Sequence, residues 1–166
     1  SSNSLVAKIV FLILVVIGFV LLIRWGSQLI TWFLAPSKNP KLISGMKQGY
    51  IAKVVPQDPA IAGAMPVMRS SNQGDGLEFT YTVWLFINHL QNTGTRKHIF
   101  HKGSAHTGSS DNGSFHPNNA PGLCIHPTRN TLIVVMNTFN NITEEVEIND
   151  IPMNKWINVA IRVEGN

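Results

Sequence analysis

Apolar and polar positions divide the chain into three stretches with different periodicities. From Ile9 to Ile23 fifteen residues follow one another without a polar side chain, Gly18 being the only one that is not large and apolar. From Pro36 to Gly76 prolines and glycines recur, and apolar residues come only in short groups such as Tyr50-Ile51-Ala52 and Val54-Val55. From Leu77 onward the period is two. Phe79, Tyr81, Val83, Leu85 and Ile87 share one phase, and Glu78, Thr80, Thr82, Trp84 and Phe86 the other. Such alternation predicts a strand with one face on a core. Further strands are predicted at 98–102, 122–126, 131–138, 144–148 and 156–163, separated by Asn, Gly and Pro turns.

The first stretch predicts a transmembrane helix. Fifteen residues cover only about 22 Å, but extension from Leu5 to Trp25 reaches about 31 Å, the thickness of a hydrocarbon core. Ile9, Phe11, Leu14, Ile17, Phe19 and Leu22 lie inside it, and Arg24 and Trp25 mark its end. Lys8 and Arg24 can snorkel to the headgroups, where Trp25 and Trp32 also belong. Fourteen Leu, Ile, Val and Phe side chains favour insertion by roughly 4 to 8 kcal/mol in total. A cleaved signal peptide is the weaker reading, because Arg24-Trp25-Gly26 and further apolar residues replace a small-residue cleavage site. Residues 27–34 are expected to prolong the helix until Pro36 stops it.

Charge supplies an orientation. Only Lys8 precedes the apolar run, whereas Arg24, Lys38, Lys41, Lys47 and Lys53 follow it. The positive-inside tendency therefore places the C-terminal part on the cytoplasmic side. The net charge of +4 is scattered, which speaks against nucleic acid and leaves the lipid surface as partner of the juxtamembrane lysines. Cys124 is the single cysteine, so no internal disulfide framework exists, and it reads as a small buried hydrophobe.

The expected organisation is a membrane anchor at 1–35 with its core at 9–25, a Pro/Gly-rich tether at 36–67, and an all-β antiparallel sandwich at 68–166. The end of the tether, Met65 to Arg69, is a candidate first strand. Phe79, Tyr81, Trp84, Phe100, Leu132, Val134, Trp156 and Val159 are the expected core. The strand partner of 156–163 is expected from a continuation of the chain or from another chain.

Several segments resemble concanavalin A-like, laminin G-like domains. They are Gly76-Leu77-Glu78-Phe79-Thr80-Tyr81-Thr82-Val83-Trp84, Lys97-His98-Ile99-Phe100-His101-Lys102-Gly103, Pro121-Gly122-Leu123, Asn130-Thr131-Leu132, and the run from Ile148 to Ala160. The resemblance covers about residues 68–166 and implies a jelly roll. This subtype is similar to versions found in large double-stranded DNA viruses of algae and amoebae, where an N-terminal membrane anchor is a common companion. It implies a structural virion protein, a minor capsid component joining an internal membrane to the shell, with neighbouring capsid proteins as partners. The alternative is a lectin-like surface module that binds glycans.

Candidate chemistry is sparse. His98 and His101, three apart on a strand, are expected on opposite faces and so not to share a metal. The Gly- and Ser-rich stretch from 103 to 119 contains no phosphate-loop ending and reads as a long surface loop. Its Ser104, His106, Asp111, Asn112 and His116 are the candidate binding residues. Asp111 is a calcium candidate, but one carboxylate is too few for an ion that takes six to eight oxygens. Glu145 and Glu147 share a face, without the spacing of jelly-roll glycosidases, and read as the solvated side of a strand that buries Val146 and Ile148. No catalytic residue, cofactor or metal site is expected. Asn112 and Asn141 head glycosylation sequons, usable only in a secretory lumen.

Overall fold

The structure, a computed structural model, describes residues 4–74, 76–91, 94–103 and 119–165, with the backbone alone at Asn72 and Gln73. The chain divides into two units, Ser1–Arg69 and Ser70–Asn166.

In the first unit α1 runs unbroken from Leu5 to Leu34. Ser4, extended at φ −61° and ψ 145°, caps it by accepting a hydrogen bond from the Ala7 amide. Ala35 is extended as well, as the residue before a proline must be. Thirty residues make a rod of about 45 Å, longer than a bilayer core. No residue of α1 is buried, and the helix is long and apolar enough to cross a membrane. Ser27 and Thr31 donate to the carbonyls of Arg24 and Ser27 at 2.8 Å, so neither hydroxyl needs water.

No helix or strand follows until residue 71. Met65 to Arg69, the candidate first strand, is not one. The Met65 amide donates to the Pro56 carbonyl at 3.0 Å and the Val67 amide to Gln57 Oε1 at 2.6 Å. Those donors are spent on a local turn instead of a sheet.

Among its described residues the second unit has seven strands: β1 Ser71–Gln73, β2 Gly76–Phe86, β3 Lys97–His101, β4 Gly122–Ile125, β5 Thr131–Met136, β6 Glu144–Asn149 and β7 Trp156–Val163. All pairings are antiparallel, in two sheets ordered β1-β2-β7 and β3-β4-β5-β6. β2 and β7 pair continuously from Phe79↔Val163 to Phe86↔Trp156, so 156–163 has a partner in β2, where a continuation of the chain or another chain was expected to supply one. The sheets enclose one core. Leu123, Ile125 and Leu132 from the four-stranded sheet meet Val83, Leu85, Ile157, Val159 and Ile161 from the other, and Ile87 and Ile151 close one end. Phe100, Val134, Tyr81 and Phe79 are half-buried, and Tyr81 of β2 stacks on Phe100 of β3 at 6.3 Å. Strand β5 is buried on both faces, because Ile133 and Val135 join Cys124 in a second cluster on the outer side of the sheet.

Two expectations about burial fail. Trp84 and Trp156 are 65 % and 51 % exposed. Their phase is that of Thr82 and Asn158, opposite to the phase that fills the core. Val146 and Ile148 are also exposed, at 59 % and 44 %. Their register with Val134 and Leu132 gives them the inner face, as expected. However, the core between the sheets takes side chains from β3, β4 and β5 and none from β6, so both stay open to water.

This difference is measurable. Leu132→Ala removes about 2–5 kcal/mol through lost burial and a cavity. Val146→Ala changes stability by less than about 0.5 kcal/mol because water already reaches the site. Urea midpoints of the full chain in detergent should separate the two variants clearly.

Candidate functional surfaces

The outer face of the four-stranded sheet is polar and internally paired. Glu145 and Glu147 stand opposite Val135 and Ile133, on the face that carries Cys124. Arg96, just before edge strand β3, reaches Glu145 on the opposite edge strand through two contacts of 2.7 and 2.9 Å. Arg129 holds both oxygens of Glu147 at 2.9 and 3.1 Å and also contacts His126 Nε2. The two carboxylates are therefore held by separate arginines, Glu145 by both terminal nitrogens of Arg96 and Glu147 by one nitrogen of Arg129. The expected solvated acidic face is an ion-paired one, and the first pair is the better shielded.

The Arg96–Glu145 pair passes over Cys124. The Arg96 pKa is raised by its hydrogen bond to Glu145, against the opposing effect of burial. Burial pushes the Cys124 thiol up, and the nearby guanidinium only partly offsets it. The thiol lies 3.7 Å from the Ile133 carbonyl oxygen. A neutral, roofed thiol is a poor nucleophile, in agreement with the structural reading of this residue.

His98 and His101 depart from the simple alternation. The β3–β4 register shifts between His98 and Phe100, and this bulge returns His101 to the side of His98. Their rings lie 4.9 Å apart, with Nε2 of His98 at 2.9 Å from Nδ1 of His101. The expectation of opposite faces is thus wrong, because one irregular residue cancels the parity argument. Even so, no group of three or more metal-ligating side chains occurs among the described residues. Beside the histidines a shallow open recess is lined by Phe100, Asn119, Gly122, Cys124 and Val135. Gly122 is required there, since a Cβ would stand 2.8 Å from the buried Asn119 Oδ1. The candidate loop residues Ser104, His106, Asp111, Asn112 and His116, and with them the calcium candidate, lie outside the described residues.

The anchor residues Ile9, Phe11, Leu14, Ile17, Phe19, Leu22, Arg24 and Trp25 are all exposed on α1. A second apolar surface was not anticipated. On the outer face of the three-stranded sheet Phe86 and Trp156 are register partners with ring centroids 5.5 Å apart, and Trp84 stands one pair further along, opposite Asn158. All three rings are about half exposed or more. Lys155 is the adjacent charge, while Glu78, Arg162 and Glu164 lie towards the other end of the strands. The signal was present in the sequence: both phases of β2 carry aromatic residues, and only one can face the core.

Neither a protein-family model, nor a curated protein, nor a solved structure matches this chain.

Cys124 provides the test of the polar face. In the folded protein at pH 8.5 it should react with a disulfide reagent at least about ten times more slowly than after denaturation. The folded thiol keeps its proton to higher pH than the unfolded one. Its stabilising contribution is therefore complete below the unfolded value, near pH 8.5, and is lost as the pH climbs towards the folded value. Urea midpoints should fall over that range in the native chain and fall less in Cys124→Ala.

Proposed function

We propose that this is a non-enzymatic, single-pass membrane protein with a structural role. In this reading α1 spans a bilayer, residues 36–67 act as a tether, and the β unit, a concanavalin A-like jelly roll, binds neighbouring proteins. The resemblance noted above makes the setting a virion, where such a protein links the internal membrane to the capsid shell. The observation that carries the reading is the pairing of two features in one chain: a fully exposed apolar helix of about 45 Å and a separate β unit. Protein neighbours are favoured by the strip on β6, where Val146 and Ile148 face inward without cover. An apolar strip on the edge strand β6 suits the addition of a strand or loop from another protein.

The lysines that follow α1 support a cytoplasmic β unit, the side on which shell proteins meet a cellular membrane. A glycan-binding module is the second reading, favoured by the exposed indoles of Trp84 and Trp156, since indole rings stack on sugars.

Glycan occupancy separates the two. Asn141 is exposed at the head of its sequon, so a lumenal enzyme would reach it. When the membrane-inserted chain is expressed in a eukaryotic cell, mass spectrometry should find Asn112 and Asn141 unmodified. Occupied sites would place the β unit in the lumen or outside the cell and give preference to the glycan-binding reading.

A further inference from the structure

The aromatic surface on the three-stranded sheet has no role in the core, and its composition is unusual for a face in water. Trp84, Phe86 and Trp156 form a continuous patch at one end of the β2–β7 ladder. Aromatic groups of this kind concentrate at the boundary between headgroups and acyl chains, where a large apolar ring and a polar edge are both accommodated.

Charge on the β unit is distributed with the same polarity. The cation Lys155 directly precedes Trp156 in the chain, Glu144, Glu145 and Glu147 lie on β6 of the other sheet, and Asp150 opens the connection between β6 and β7. A lipid surface on the aromatic face therefore lies close to Lys155 and on the opposite side of the unit from the ion-paired Glu145 and Glu147. The Phe86 and Trp156 rings are tilted by 52°, so these two present no shared flat platform for a sugar. A fluid interface has no such requirement.

The chain also supplies the membrane. With α1 in a bilayer, the connector of residues 35–69 confines the β unit to within at most about 120 Å of it. Tethering of this kind makes even weak docking effective, because the local concentration of the surface is high.

We propose that Trp84, Phe86 and Trp156 seat the β unit on the headgroup layer of the same bilayer that α1 spans. The proposal rests on the reading of α1 as a membrane span. Docked in this way, the unit turns the four-stranded sheet with its Arg96–Glu145 and Arg129–Glu147 pairs away from the lipid and towards neighbouring proteins.

The four tryptophans of the chain, Trp25, Trp32, Trp84 and Trp156, allow the two readings to be tested separately. The full chain is placed in nanodiscs of phosphatidylcholine and phosphatidylglycerol, with bromine on the upper acyl chains of the phosphatidylcholine. In Trp25→Phe/Trp32→Phe the remaining tryptophans, Trp84 and Trp156, are both in the β unit. Its emission should shift to shorter wavelength and lose about half its intensity to the bromines, as expected for rings buried roughly 5–10 Å into the interface. Phe139→Ser, at the β5–β6 connection and therefore at the other end of the unit, should leave that quenching unchanged. In Trp84→Phe/Trp156→Phe, quenching of Trp25 and Trp32 reports on α1 alone. Quenched α1 tryptophans with unquenched Trp84 and Trp156 would overturn the docking and leave the anchor standing. Unquenched α1 tryptophans would overturn both. Emission from Trp84 and Trp156 that ignores the lipid but responds to added oligosaccharide would reassign the patch to glycans.

Discussion

The register between β2 and β7 is the constraint on which the surfaces of the β unit depend. β7 is hydrogen-bonded to β2 and to no other described strand, so that one ladder decides which of its faces meets the core. A slip of one residue would turn Ile157, Val159 and Ile161 outward and bring Trp156, Asn158 and Arg162 inward. Burying an amide and a guanidinium without partners is costly, and the core offers no such partners. The same register places Phe86 against Trp156 on the outside. The aromatic surface is therefore a consequence of the alternation that fills the core.

The second exposed region follows from the limits of the core. Its side chains come from β2, β7, β3, β4 and β5, and none comes from β6. Strand β5 profits from its central place and is buried on both sides. Strand β6 keeps the inner-face pattern of a core strand without the cover. Two of its three carboxylates, Glu145 and Glu147, are paired with Arg96 and Arg129 on the outer face. These ion pairs tie the sheet laterally, and the first of them roofs Cys124.

Charge separates the two units of the chain. Residues 1–69 carry seven basic side chains and one acidic one, whereas residues 70–166 carry six basic and eight acidic. The basic part is the part attached to the apolar helix, where anionic headgroups would compensate it. The acidic excess belongs to the β unit and is concentrated around β6. A modest overall charge thus conceals a strongly polarised molecule.

The helix and most strands were legible in the sequence because each depends on local order. An unbroken apolar run leaves a helix no polar face, and Pro36 ends it whatever surrounds it. Phe79 to Ile87 and Trp156 to Val163 alternate so regularly that their core-facing phase needs no partner to be recognised. What local order cannot contain is the position of one strand relative to another. Trp84 and Trp156 were expected in the core because aromatic strand residues usually are, and only the layer packing shows that their phase faces outward. Val146 and Ile148 have the right phase and lack cover because the core does not extend to β6. His98 and His101 meet through a bulge that shifts β3 against β4 and leaves no periodic trace. The sequence by itself determined the elements and their apolar phases, since these follow from neighbours along the chain. The tertiary structure alone decided which apolar residues remain in water, because burial belongs to the layer above a residue and not to the residue itself.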